Sequence, residues 1–175
     1  MRKPKRILAL LTIVLLLMAG CRSESVAQST TVCLSEHFDT LNDLKQGATN
    51  IVEVEVLDHY VVTQGDMPFT ISNVKTLTSI KGDTKKDDKI KVIETGDTSF
   101  GGINVMQAGE HLILFVKPFV GPQVTGAYVI LGVWQGKFKV GKGSNGKVEQ
   151  QAPSEYKLKD YKPVSLSKFI QKLKG

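Results

Sequence analysis

The sequence predicts a small, mainly β domain of the barrel or sandwich kind, with a short helix ahead of the sheet and an amphipathic helix at the C-terminus. Three observations carry that expectation. Val52, Val54 and Val56 alternate with Glu53 and Glu55, the period of two that marks a strand with one buried and one wet face. Six further β-type runs follow at fairly even spacing and do not alternate with helical segments. The sixteen glycines and six prolines fall mostly between those runs, where turns need a positive or a fixed φ.

In chain order, the first element is a helix over Thr40 to Gly47. Thr40 can cap it, Asp43 stands three residues later as in a capping box, Leu41 and Leu44 share a face, and Gly47 can end it. Two turns are marginal alone, so tertiary packing must hold them. The β-type runs after Val52–Val56 are Phe69 to Ile80, Lys89 to Thr95, His111 to Lys117, Tyr128 to Leu131, Lys137 to Val140 and Lys147 to Gln150. Turn signals separate them, among them Gln64-Gly65-Asp66, Lys81-Gly82-Asp83, Ala108-Gly109-Glu110 and the stretch Gly141 to Gly146. Leu112 to Val116 is continuously apolar, as expected of a central strand covered on both sides. Near the end, Ser165 can cap a helix in which Leu166, Phe169, Ile170 and Leu173 recur at helical spacing. Its opposite face carries Ser167, Lys168, Lys172 and Lys174, so it can close one end of the barrel or lie on anionic lipid.

The first twenty residues belong to a different class. Arg2, Lys3, Lys5 and Arg6 lead into an uncharged apolar run from Ile7 to Ala19, closed by Gly20-Cys21. A helix over that run would rise about 20 Å, short of the roughly 30 Å hydrocarbon core of a bilayer. The segment Leu17-Met18-Ala19-Gly20-Cys21 resembles the lipobox of bacterial lipoprotein signal peptides, with Met18 where the family usually has leucine. That resemblance implies removal of residues 1–20 and acylation of the Cys21 sulfur. It further implies retention at the cell membrane, lipid-anchored, on its extracytoplasmic face. Residues 21–35, polar and rich in Ser, Thr and Gln from Arg22 to Thr31, read as a lipidated flexible tether, and residues 36–175 as one domain.

Charge and cysteine usage set further limits. Four of the twenty-three basic residues and none of the seventeen acidic ones lie in residues 1–20, so the remainder carries nineteen against seventeen. Near neutrality gives no electrostatic argument for nucleic acid. With Cys21 acylated, Cys33 has no intramolecular partner, and the fold cannot rest on a disulfide. Cys33 is then a buried small apolar residue, a reactive thiol or an intermolecular crosslink.

Chemistry-bearing patterns are sparse. His37, His59 and His111 are scattered, with no second His or Cys at ligand spacing, so no metal site and no cofactor are expected. No serine sits in a G-x-S-x-G elbow, and Gly141 to Gly146 lacks the Lys-Ser/Thr pair of a phosphate loop. Asp83, Asp87 and Asp88 are interleaved with Lys81, Lys85, Lys86 and Lys89, a solvated turn by charge. Catalysis is therefore not expected, although a distant carboxylate could still meet His59 or His111 in space. Two segments combine aromatics with glycine turns and are candidate partner contacts: Phe100-Gly101-Gly102, and Trp134 within Gly132 to Phe138. Trp134 can equally plug a barrel end.

The order Val-x-Val-x-Val, Ile80-Lys81-Gly82-Asp83, Ile90-Lys91-Val92, then Gly109-Glu110-His111-Leu112-Ile113-Leu114-Phe115 resembles bacterial OB-like barrels related to tissue inhibitors of metalloproteinases and netrin-like modules. The resemblance implies a small Greek-key barrel. The inhibitory mechanism does not carry over, because those inhibitors use a free N-terminal cysteine amine within a disulfide framework. The functional expectation is a non-catalytic binding or adaptor lipoprotein, with an envelope or extracellular protein as possible partner besides the membrane. The alternative is an inhibitory or protective lipoprotein acting on an extracellular hydrolase.

Overall fold

The computed structural model describes residues 36–96, 104–143 and 146–175. The leader, Cys21, the tether, Cys33 and the candidate contacts Phe100, Gly101 and Gly102 lie outside the described residues.

The described chain is mainly β, as the alternation predicts. Helix α1 (Leu41–Gly47) precedes β1 (Asn50–Gln64), β2 (Met67–Lys81), β3 (Lys89–Thr95), β4 (His111–Pro118), β5 (Ala127–Ile130), β6 (Lys137–Val140), β7 (Lys147–Gln150) and β8 (Val164–Ser165). Helix α2 (Leu166–Lys174) follows directly. At α1 the Thr40 side chain accepts the Asp43 N–H at 3.2 Å, while the α2 cap position, Ser165, makes no such bond.

All eight strands form one sheet in the order β1-β2-β3-β5-β4-β6-β7-β8. Strand β1 also pairs antiparallel with β4, from Asn50↔Val116 to Glu55↔His111, so the first five strands curl into a partial ring. Within it β3 and β5 run parallel, and every other neighbouring pair is antiparallel. The long β1–β2 ladder bends through three register shifts, the last between Val56 and Asp58. The turn after β2 needs glycine: Gly82 has φ +98, and a Cβ there would stand 2.4 Å from the Asn50 amide.

Strand β4 is covered on both faces, as its apolar run predicts. Leu112, Leu114 and Val116 join Val52, Val54, Val56, Val74 and Val92 in one core. Ile113 and Phe115 join Leu44, Ile51, Phe138, Phe169 and Leu173 in another. The apolar stripe of α2 is thus spent on the second core, where Phe169 packs on Phe115 and Phe138.

Candidate functional site

Among the described residues, each chemistry-bearing side chain has a definite place. Trp134, a candidate contact, sits in the turn between β5 and β6, only 8 % exposed, with its ring centroid 5.7 Å from that of Tyr156. It therefore presents little surface. The turn is tight: Gly132 and Val133 both have positive φ, 59° and 61°, and for a β-branched residue that is strained backbone. The next side chain, Gln135, explains what the turn holds. Its oxygen accepts the Phe38 N–H at 2.8 Å, and its amide donates to the Phe38 and Tyr156 carbonyls at 2.7 and 2.8 Å.

The histidines separate. His37 lies 3.5 Å from Asp39 at the surface. His59, expected just after a strand, is inside β1 opposite Ser72, and its Nδ1 is buried without a partner among the described residues. His111 opens β4, and there the distant carboxylate exists. Its Nε2 is 2.8 Å from Oε1 of Glu53 on the neighbouring β1, a residue only 8 % exposed. The neutral Nε2–H tautomer and the imidazolium both donate to that oxygen.

A groove of about 440 Å³ opens beside this pair, between the 108–111 turn and the 139–143 end of the β6–β7 hairpin. Its walls are fixed by backbone. The Val56 N–H donates to the Glu110 carbonyl at 2.9 Å, and the Gly109 N–H donates back to Val56 at 2.8 Å. Gly109 adopts φ +80, open to glycine and strained for any side chain. On the same groove Lys139 Nζ meets Glu110 Oε1 at 2.5 Å, while the other Glu110 oxygen accepts the Gln107 N–H at 3.0 Å. Lys142 adds an exposed cation. The site thus offers a Lys139–Glu110 ion pair at the rim beside a histidine hydrogen-bonded to the nearly buried carboxylate of Glu53. Such a surface can exchange its own pairs for those of a charged peptide segment. Among the described lining residues no hydroxyl or thiol accompanies His111, and Ser144 lies outside the described residues.

Sequence reasoning missed a second charged pair. Lys137 Nζ lies 2.6 Å from Glu94 Oε1, with side chains only 2 % and 5 % exposed. Lys137 also donates to the Asn104 carbonyl, and Glu94 Oε2 accepts the Met106 N–H at 2.9 Å. The pair ties β6 to β3 and pins residues 104–106, one stem of the segment that carries Phe100. The other stem, Gly96, donates its N–H to Pro68 and accepts from the Thr70 hydroxyl, both at 2.8 Å. Alternation through Lys137-Phe138-Lys139 gives no sign that the two lysines differ.

Among the described residues no group of three or more His, Cys, Asp and Glu is placed to hold a metal ion, and no helix is long and apolar enough to cross a membrane. No family model, curated protein or solved structure matches this chain.

Proposed function

We propose that this chain is a lipid-anchored extracytoplasmic binding module, non-catalytic and built on an OB-like Greek-key barrel, that docks a charged segment of an envelope or extracellular protein. The barrel reading is supported by the ring order β1-β2-β3-β5-β4 returning to β1, with its single parallel pair. The anchor reading is supported by the basic start, the apolar run and Ala19-Gly20-Cys21.

One observation carries the binding role: the groove is lined by His111, hydrogen-bonded to Glu53 of the neighbouring strand, and by the Glu110–Lys139 ion pair, with Lys142 exposed beside them. The protein fixes those charges in advance, so a partner spends little on ordering them.

The test is crosslinking in intact cells through an amine-reactive probe, comparing wild type with Lys139→Glu and His111→Gln. The reading requires a protein adduct whose yield falls about tenfold or more on charge reversal at Lys139, with His111→Gln intermediate. An adduct pattern unchanged in both variants would remove the groove as the contact. Mass spectrometry of the native product checks the anchor separately, and an unacylated Cys21 would end that part.

A further inference from the structure

Charge is unevenly distributed along the mature sequence. From Lys157 to the C-terminus there are six lysines against one aspartate, whereas residues 21–156 carry thirteen basic against sixteen acidic residues. In the fold this basic stretch is not scattered. Lys157, Lys162, Lys168, Lys172 and Lys174 are all exposed, and none is in an ion pair with a described residue. Lys45, in the last turn of α1, lines the same cleft as Lys172.

The second observation concerns where the chain joins the domain. Immediately after residue 35, Asp39 pairs with Lys159 at 2.7 Å, which holds the Asp39 carboxyl below its ordinary range. The Lys159 N–H also donates to the Asp39 carbonyl at 3.0 Å, and the Leu41 N–H donates to Asp160 at 2.9 Å. The N-terminal end of the domain is therefore bonded directly to the lysine-rich C-terminal stretch. Only fourteen residues separate Cys21 from Glu36, a length that spans at most about 50 Å.

We infer that this corner, formed by the end of α1, the stretch from Lys157 and the outer face of α2, rests on the anionic headgroups of the bilayer that holds Cys21. The inference rests on the lipid-anchor reading. Anchoring raises the local concentration of headgroups at the corner nearest the attachment, and each lysine there then gains from the surface potential. The apolar stripe of α2 is buried through Phe169 and Leu173, so contact is electrostatic and adds no insertion. The opposite end of the molecule stays away. Lys81 at the foot of β2 donates to the Lys45 and Ala48 carbonyls at 2.8 and 2.6 Å, whereas the β1–β2 turn lies a full strand length beyond it.

The experiment uses the native acylated chain carrying Cys33→Ser, reconstituted into vesicles that contain a lipid with a nitroxide headgroup. A fluorophore is placed at Gln171→Cys on α2, or at Asp66→Cys in the β1–β2 turn. Vesicles of phosphatidylcholine alone are compared with a phosphatidylcholine and phosphatidylglycerol mixture. The Gln171 label should be quenched more strongly in the mixture. That excess should vanish in about 1 M salt, where the screening length is about 3 Å. It should also vanish in the Lys168→Gln, Lys172→Gln, Lys174→Gln triple variant, whose docked-to-free ratio should fall about a hundredfold. The Asp66 label should not respond. Equal quenching of the two labels in both vesicles, on a chain that floats with the vesicles, would overturn the inference and leave the anchor standing. A chain that does not float with either vesicle would remove the anchor and the inference together.

Discussion

The space inside the partial ring and the space on the other side of β4 are filled by different chemistry. Inside stand Val52, Val54, Val56, Val74, Val92 and Val116 with Leu112, Leu114, Ile130 and Met106. Outside, Phe115, Phe138, Phe169 and Tyr161 form a connected set of rings with centroid separations of 5.1 to 6.5 Å. Closely paired strands leave a narrow interior that short β-branched side chains fill without strain. Helices lying against a sheet leave wider, irregular gaps, and planar rings at tilted or edge-on angles fill those. The strands also need no help in choosing an inside, because alternation sets it, whereas the outer core must recruit residues from α1, β6, β7 and α2.

A buried ion pair, Lys137 with Glu94, sits among these strands, and the largest expected effect tests it. Lys137→Ala leaves Glu94 buried without its cation and frees the Asn104 carbonyl, so it should cost about 3–5 kcal/mol in urea unfolding. Pairing Lys137→Met with Glu94→Gln should restore most of that, because the amide oxygen still accepts the Met106 N–H. If the single and double variants are equally unstable, the pair is not what closes the gap between β3 and β6.

The two cores should then differ in what a truncation removes. Phe138→Ala takes away three ring contacts at once and should cost about 3–5 kcal/mol. Val54→Ala, equally buried, removes two methyl groups and should cost about 2 kcal/mol. Equal costs in chemical unfolding would mean that the ring interior is as sensitive to volume as the aromatic side, against the packing described above.

How much of this the sequence could say follows from the same contrast. Most strand positions, the turn residues between them and the apolar run of β4 are local facts and were legible, whereas the second half of β1, where His59 sits, and the two-residue β8 were not. Which strand neighbours which was not, because the β1–β4 pairing joins residues about sixty positions apart and leaves no local trace. The groove suffers the same way: His111 and Glu53 are ordinary alone, and only the ladder brings them to 2.8 Å. Lys137 was unreadable for a sharper reason. A charged side chain between two turns reads as solvated, and its burial depends on Glu94 arriving from another strand. Trp134 was readable as an aromatic among glycines, yet its direction depends on the Val133 backbone, which no pattern announces.

The smallest expected effect sharpens the outer core further, through its one ionisable ring. Tyr161 donates its hydroxyl to the Val148 carbonyl at 2.7 Å, and burial, with a smaller contribution from Glu149, pushes its pKa from 10.0 up to about 12. The folded state therefore holds that proton more tightly than the unfolded chain. Its contribution is complete below pH 10, declines as pH rises from about 10 to about 12, and is gone above. Because the ring is only partly buried, solvent screening limits the loss to about 1–2 kcal/mol. Tyr161→Phe should abolish that slope, since it keeps the edge contacts to Phe138 and Phe169 and removes the titrating group. An alkaline unfolding profile that is the same for Tyr161→Phe and wild type would assign the outer core's pH response to another group, and the tyrosine would then act in it only as a ring.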